Sequence, residues 1–234
     1  MNGFNKFLFS SIGNKLLVAI TGLFMILFLI VHLLGNLLLL INEHQGEQFN
    51  AYSEIMESNI LIKVIAYTLY ASILLHSYKG LMIYLKNRKA RGKVKYAVRT
   101  GSKTSFASRN MMLLGTLVLF FIAIHMGQFW YEFKFTDLEA RGVTNFEVVQ
   151  TAFKELWIVI VYVIGCIALG YHLSHGFQSA FQTLGLRTGK YTGLIRGLGL
   201  GFSIVLPLLF AVIPVFMYLD FYPLGEFKVI PGQD

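Results

Sequence analysis

Long apolar segments separated by shorter polar ones run along the whole chain. Five are long enough to cross a membrane, at approximately 16–41, 60–85, 111–131, 156–181 and 195–218. A helix rising ~1.5 Å per residue needs about 20 residues to cross ~30 Å of hydrocarbon. Lipid offers no hydrogen-bond partner to the backbone, so a spanning segment satisfies its own groups as a helix. The pattern predicts an all-α integral membrane bundle of five transmembrane helices, with residues 1–234 forming one domain.

Composition excludes a water-soluble globule. Charged residues make up only 14% of the 234 residues and hydrophobic residues 56%, whereas soluble chains average about 25% charged residues. The single cysteine, Cys166, excludes an intramolecular disulfide and a cysteine-based zinc or iron–sulfur site. The chemistry of the chain must therefore come from other side chains.

The net charge of +8 is distributed unevenly between the two sides of the predicted bundle. The connection from Lys86 to Arg109 is strongly basic and contains no acidic residue, and all twelve acidic residues fall on the opposite side. The positive-inside rule therefore predicts a cytoplasmic N-terminus and an outer, periplasmic C-terminus. The basic connection leaves little room for a nucleic-acid recognition element. We interpret it as a determinant of topology that contacts anionic lipid, and as a docking face for a cytoplasmic subunit.

Histidines are the chemically distinctive residues inside the apolar segments. Five of the six histidines fall there: His32, His76, His125, His172 and His175. Ionisable side chains at membrane depth are rare and mark functional sites. A structural hydrogen bond between helices explains one such histidine equally well, but here that explanation must hold on four separate helices.

Depth sorts four of these histidines into two pairs. His76 and His172 each lie nine residues before the predicted cytoplasmic end of their segments, ~14 Å from the boundary. His32 and His125 lie ~14 Å and ~9 Å from the opposite boundary. The members of each pair lie on two different helices at similar depth, which suits a metal held between two imidazoles.

Haem fits these pairs better than zinc does. Structural zinc takes four protein ligands, and no Asp or Glu is available at these depths. A b-type haem needs only two axial histidines. Glycines that follow the histidines, Gly35, Gly80, Gly127 and Gly176, would provide space. The sequence thus predicts two stacked haems b, with His76 and His172 binding one iron and His32 and His125 the other. His175 competes with His172 as the fourth ligand, and a role as a haem-propionate partner or as a hydrogen-bonded interfacial residue is also open.

Several segments resemble the cytochrome b subunit of succinate dehydrogenase and fumarate reductase. The resemblance is to the single-polypeptide, five-helix, dihaem class of menaquinone-using bacteria. It rests on Ser11-Ile-Gly-Asn-Lys-Leu-Leu-Val-Ala-Ile-Thr-Gly-Leu-Phe, Val31-His-Leu-Leu-Gly-Asn36, His76-Ser-Tyr-Lys-Gly-Leu81, Ile124-His-Met-Gly-Gln128 and Tyr171-His-Leu-Ser-His-Gly176. It extends over essentially the whole chain, with one ligand segment on each of the first four helices.

The resemblance implies a multi-pass protein of the bacterial inner membrane. A flavoprotein subunit with FAD and an iron–sulfur subunit on the cytoplasmic side would interconvert succinate and fumarate, and such complexes can pair into dimers. Electrons would pass through the His76/His172 haem and the His32/His125 haem to menaquinone near the outer surface. The complex would be an oxidoreductase, and this chain would carry only its quinone half-reaction.

Some positions leave alternatives open. Certain fumarate reductases of this class carry a proton-conducting glutamate two positions before the fourth-helix ligand, where this chain has Gly170. Glu54 and Glu57 are candidate quinone-proximal acids, or simply part of a solvated acidic loop. Lys79 could extend to the cytoplasmic interface or meet a haem propionate. A dihaem subunit of a hydrogenase or formate dehydrogenase, and a haem-free transporter with proton-relaying histidines, are the alternative functions.

Overall fold

The computed structural model describes residues 5–7, 10–41, 46–91 and 105–221, and the part of the chain it describes contains no β-strand. A 3₁₀ turn, Leu37–Leu40, continues the first long helix, and a π-helical turn, Met126–Trp130, interrupts the third. The α-helices in chain order are α1 Ser11–Asn36, α2 Glu47–Ser58, α3 Ile60–Arg91, α4 Phe106–Arg109, α5 Met111–His125, α6 Tyr131–Phe135, α7 Asn145–Phe153, α8 Leu156–Thr183 and α9 Thr192–Tyr218.

Five helical segments are long and apolar enough to span a membrane. They are Ser11–Leu40, Ile60–Ala90, Met111–Phe135, Leu156–Thr183 and Thr192–Tyr218. The all-helical, five-span prediction is confirmed at this level. Many large apolar side chains on these helices are exposed, including Leu27, Phe120 and Leu208 at 60% or more. Such surfaces suit a protein whose helices face lipid.

The helices extend beyond the apolar segments that predicted them. α1 begins at Ser11, ahead of the predicted start at residue 16, and α3 continues to Arg91, into the basic connection. α4 occupies the other end of that connection. Residues 92–104 lie outside the described residues, and with them the basic residues Lys93, Lys95, Arg99 and Lys103. Acidic residues Glu43, Glu226 and Asp234 of the opposite side also lie outside them.

Two short helices, α2 and α7, form in connections that hydropathy left unassigned. Thr144 and Glu147 make a reciprocal capping box at the start of α7. Phe146, only 1% exposed, donates its backbone N–H to Asn50 Oδ1 of α2 over 2.9 Å. Gly46, with φ of 75°, precedes α2, and a Cβ there would overlap the Phe146 ring. These contacts attach α7 to α2.

The chain divides into two compact units, each containing part of every spanning helix. One unit comprises Met1–Phe28, Ala66–Leu119 and Ala168–Val205. The other comprises Leu29–Ile65, Phe120–Ile167 and Leu206–Asp234. His76 and His172 belong to the first unit, and His32 and His125 belong to the second. The two candidate histidine pairs can therefore be described unit by unit.

Candidate functional site

His76 on α3 and His172 on α8 are brought together in the first unit. Their ring centroids lie 6.2 Å apart, with the ring planes inclined by 61°. A metal bound between two imidazoles takes about 2 Å to each nitrogen, which places the two ring centroids about 6 Å apart. The observed separation is therefore compatible with both rings binding one metal.

Neighbouring groups on α1 orient His76. Its Nδ1 lies 3.1 Å from the Val18 carbonyl oxygen and 3.2 Å from Thr21 Oγ1. The Thr21 hydroxyl also lies 2.7 Å from the Leu17 carbonyl oxygen, to which it donates. An Nδ1–H that donates to a main-chain carbonyl leaves Nε2 with its lone pair. Metal-binding histidines commonly use this arrangement.

The environment of His172 is different. Its Nδ1 is buried and has no hydrogen-bond partner among the residues that the structure describes. A buried polar atom without a partner is unusual in a native structure, and an ion or ligand is one explanation for it. His172 therefore fits a role in which its imidazole binds something other than the protein.

Two glycines on neighbouring helices leave space beside these rings. A Cβ at Gly22 on α1 would lie 3.2 Å from His76 Cε1, and one at Gly115 on α5 would lie 3.5 Å from His172 Cε1. Glycines are frequent in spanning helices because they permit close approach. The sequence instead points to the glycines that follow the histidines. At Gly80 and Gly127 a Cβ would meet no described atom within 4 Å.

His32 on α1 and His125 at the end of α5 are brought together in the second unit. Their ring centroids lie 5.8 Å apart, with the planes almost perpendicular at 86°. The π-helical turn Met126–Trp130 begins directly after His125. Such turns occur frequently at functional sites. This separation too is close to the roughly 6 Å that a shared metal requires.

Aromatic and amide groups surround His32 and His125. The Tyr162 hydroxyl lies 3.3 Å from His125 Nδ1. Asn36 Nδ2 donates to the His32 carbonyl oxygen over 2.7 Å and also lies 3.3–3.4 Å from both ring nitrogens. Phe210 of α9 packs beside His32, with ring centroids 5.7 Å apart. All five spanning segments thus contribute to one or both histidine pairs.

Gly35 serves a packing role in the structure. A Cβ there would overlap the ring of Tyr52 on α2, so the glycine makes room for that ring. Burial raises the pKa of the Tyr52 hydroxyl above its usual value, and the phenol therefore stays protonated at neutral pH. The Tyr52 ring occupies the space that the sequence suggested Gly35 would open to a cofactor.

His175 and Lys79 each lie three residues after one of the paired histidines, on the same helix. His175 is half-buried and makes no ring contact with another histidine in the described part of the chain. Lys79 is buried on α3 and donates from Nζ to Asn14 Oδ1 over 3.0 Å. The structure thus places the Lys79 ammonium beside a side-chain amide of α1.

Glu54 and Glu57 lie near the end of α2. Glu54 is exposed, and Glu57 forms a 3.9 Å ion pair with Lys134. Glu57 also lines an open surface cleft of about 640 Å³ with residues 133–139 and Asn145. Both carboxylates are thus accessible at the surface.

The number and type of side chains in each histidine pair limit which metal or cofactor the pair could bind. No group of three or more His, Cys, Asp or Glu side chains in the described ranges could hold a bare metal ion. Each pair offers only two imidazoles, and a porphyrin supplies the remaining four ligands of a haem iron itself. Two imidazoles at this separation, a buried His172 Nδ1 without a partner among the described residues, and glycines beside the rings are compatible with a group that needs two protein ligands.

No protein-family model, curated protein or solved structure matches this chain. The resemblance to the cytochrome b subunits therefore rests on the quoted motif residues alone. Function must be inferred from those residues and from the geometry of the two histidine pairs.

Sequence reasoning did not single out several groups that contact the histidines. Thr21 and Tyr162 are polar side chains within apolar segments, and that signal could have identified both. The Val18 carbonyl has no side-chain signature and can be recognised only from coordinates. Gly22 and Gly115 could not be distinguished from the other glycines, because only the fold shows which glycine meets a ring.

Proposed function

We propose that this chain is the dihaem cytochrome b membrane-anchor subunit of a succinate:quinone oxidoreductase. The observation that carries the proposal is the presence of two histidine pairs on spanning helices, with centroid separations of 6.2 Å and 5.8 Å. His76 and His172 would bind one haem b, and His32 and His125 a second. When bound, the haems would supply reversible one-electron chemistry between an iron–sulfur subunit and menaquinone.

Neighbouring groups of the protein would determine which nitrogen of each histidine binds the haem iron and would hold the imidazole in place. The Val18 carbonyl accepts a hydrogen bond from Nδ1–H of His76, which would leave the Nε2 lone pair available to a haem iron. Apolar side chains around both pairs keep water away, and burial together with ligand hydrogen bonding sets the redox potential. Lipid-facing apolar surfaces keep the assembly within the membrane.

Charge asymmetry supports the orientation that we propose. The N-terminus and the basic connection would face the cytoplasm of a bacterial inner membrane, where a flavoprotein and an iron–sulfur subunit would dock. The C-terminus would face the periplasm. Glu54 and Glu57 would lie on the periplasmic side, and we retain them as candidate acids for quinone protonation.

Pairwise substitution tests the ligand assignment. His76→Ala and His172→Ala should each lose one haem b and leave identical residual reduced-minus-oxidised spectra, because both remove the same haem. The double variant should match either single variant. His32→Ala and His125→Ala should lose the other haem, whereas His76→Ala combined with His32→Ala should lose both. His175→Ala is the matched control and should retain both haems.

Other outcomes would contradict parts of the proposal. Loss of both haems in the His76/His172 double variant, with one left in each single variant, would refute the pairing. Retention of two haems in His172→Ala and loss of one in His175→Ala would move the ligand to His175. If the protein contains two haems but co-purifies with a hydrogenase or formate dehydrogenase, the proposed flavoprotein and iron–sulfur partners are wrong. A flavin-containing succinate dehydrogenase subunit should co-purify instead.

A further inference from the structure

Tyr162 places one hydroxyl inside an aromatic cluster of the second unit. Its side chain on α8 is only 6% exposed. The rings of Phe121 and Phe153 meet it edge-on at 5.0 Å between centroids, and Phe129 lies at 6.0 Å. A buried phenol usually finds a hydrogen-bond partner, because leaving the hydroxyl unpaired is costly. The group that pairs with the Tyr162 hydroxyl therefore indicates what this side chain does in the cluster.

The partner of the hydroxyl is His125. Its Nδ1 lies 3.3 Å from Tyr162 Oη, and the two ring centroids lie 5.9 Å apart. Phe121 and Phe129 also contact the His125 ring, at 6.0 Å and 5.5 Å between centroids. The hydroxyl is the one hydrogen-bonding group that the described residues offer to the His125 ring. The aromatic cluster restricts rotation of the His125 ring, and the Tyr162 hydroxyl forms a hydrogen bond with its Nδ1.

Which of the two groups donates this hydrogen bond depends on whether His125 Nε2 is protonated or binds a metal. If His125 binds a metal through Nε2, the neutral imidazole carries its proton on Nδ1. Nδ1–H then donates, and the Tyr162 hydroxyl oxygen accepts. Such a bond fixes the tautomer and makes the ligand more basic, as outer hydrogen bonds to metal-binding histidines do.

The equivalent group at the other pair is a main-chain carbonyl. His76 Nδ1 meets the Val18 oxygen at 3.1 Å in addition to Thr21 Oγ1 at 3.2 Å. No side-chain substitution removes that carbonyl. The two candidate haem ligands thus differ in a testable way, because the acceptor for His125 is a side chain.

We propose that Tyr162 is the positioning residue for His125: its hydroxyl oxygen accepts a hydrogen bond from Nδ1–H, which would strengthen Nε2 as a haem ligand. This inference rests on the proposed function. It assigns Tyr162 a specific effect on the His32/His125 haem and none on the His76/His172 haem.

Tyr162→Phe tests the assignment because it removes the oxygen and keeps the ring. A lost outer hydrogen bond typically lowers metal affinity about 10–100-fold. The weaker ligand favours ferric iron less, so the midpoint potential of the His32/His125 haem should rise by about 59 mV for each tenfold loss of ferric preference. Potentiometric titration of the purified complex measures both haems, and low-temperature electron paramagnetic resonance should show a shifted low-spin signal for one of them.

Two matched variants act as controls. Tyr171→Phe removes a hydroxyl from an exposed tyrosine on the same helix and should move neither potential. Thr21→Val leaves the Val18 carbonyl in place. It should leave the potential and resonance signal of the His32/His125 haem unchanged. Near-UV circular dichroism should confirm that Tyr162→Phe retains the native packing, since a general packing defect would disturb both haems.

The outcomes separate this inference from the proposed function. Wild-type protein without haem b would overturn both. Two haems in the wild type, with potential, resonance signal and haem retention of Tyr162→Phe all unchanged, would overturn the role of Tyr162 alone. A shift confined to the His76/His172 haem would also overturn it.

Discussion

Replacing Gly165 by alanine should disturb the aromatic cluster that contacts His125. A Cβ built at Gly165 on α8 lies 2.5 Å from both Cγ and Cδ2 of Phe121. Carbon atoms prefer separations of about 3.5–4.0 Å, so the ring must retreat by about 1 Å. Phe121 cannot retreat freely, because its centroid lies 5.0 Å from that of Tyr162 and 6.0 Å from that of His125.

The expected loss of stability follows from two opposing effects. Overpacking of this kind costs about 1–3 kcal/mol. We expect the upper end, because the overlap falls on the base of the ring and not on the far end of a flexible side chain. Alanine returns about 1 kcal/mol of helix propensity relative to glycine. The net loss should be about 2 kcal/mol, or about 4–8 °C in Tm for a chain of this size.

A graded series of glycine variants provides the controls. Gly22→Ala places its Cβ 3.2 Å from His76 Cε1 and requires a shift of only a few tenths of an ångström, so its Tm should stay within about 3 °C of wild type. At Gly197 on α9 a Cβ meets no described atom within 4 Å, and Gly197→Ala should not lower Tm. Thermal unfolding in detergent, followed by near-UV circular dichroism, measures all three.

The order of the series is the critical result. Gly165→Ala should unfold at the lowest temperature, followed by Gly22→Ala and then Gly197→Ala. A Tm for Gly165→Ala equal to or above that of Gly197→Ala would refute the packing of Phe121 against α8, and with it the restraint on Tyr162.

Two further predictions concern hydrogen bonds outside the paired rings. Asn14→Leu removes an acceptor of the buried Lys79 ammonium and should destabilise the protein by about 1–3 kcal/mol, whereas the double variant Asn14→Leu/Lys79→Met should recover much of that loss. Denaturant titration of both variants checks this, and a double variant less stable than the single one would contradict it. Thr144→Ala breaks the capping box of α7 and should cost about 1 kcal/mol locally. Hydrogen exchange should show faster exchange in α7, and unchanged protection there would refute the role of the cap.

The spanning helices were predictable because lipid imposes one solution on a long apolar segment. Their ends were less predictable. α3 continues through Lys86 and Lys89 to Arg91, since an apolar run marks only the part that lies in hydrocarbon. The short helices α2 and α7 were not predicted because, at 12 and 9 residues, both are too short to be recognised as spanning segments. The Thr144-x-x-Glu147 pattern was the available signal for α7.

The grouping of four histidines by depth agrees with the two ring contacts that the structure shows, whereas the side chains around the rings were not predictable. Residue counting places His76 and His172 at one level, but it does not indicate which neighbours face their rings. The Val18 carbonyl, the Tyr162 hydroxyl and the glycine that meets each ring depend on helix rotation. Hydropathy gives little information on rotation when a helix is apolar on every face.

The measurement that most directly tests the central claim is the haem b content of the purified wild-type protein. A pyridine haemochrome assay, combined with quantitative amino-acid analysis, gives the number of haems per polypeptide. The two histidine pairs predict two haems b per chain. A preparation with native packing and no haem would contradict the account, and one haem per chain would remove one of the two proposed sites.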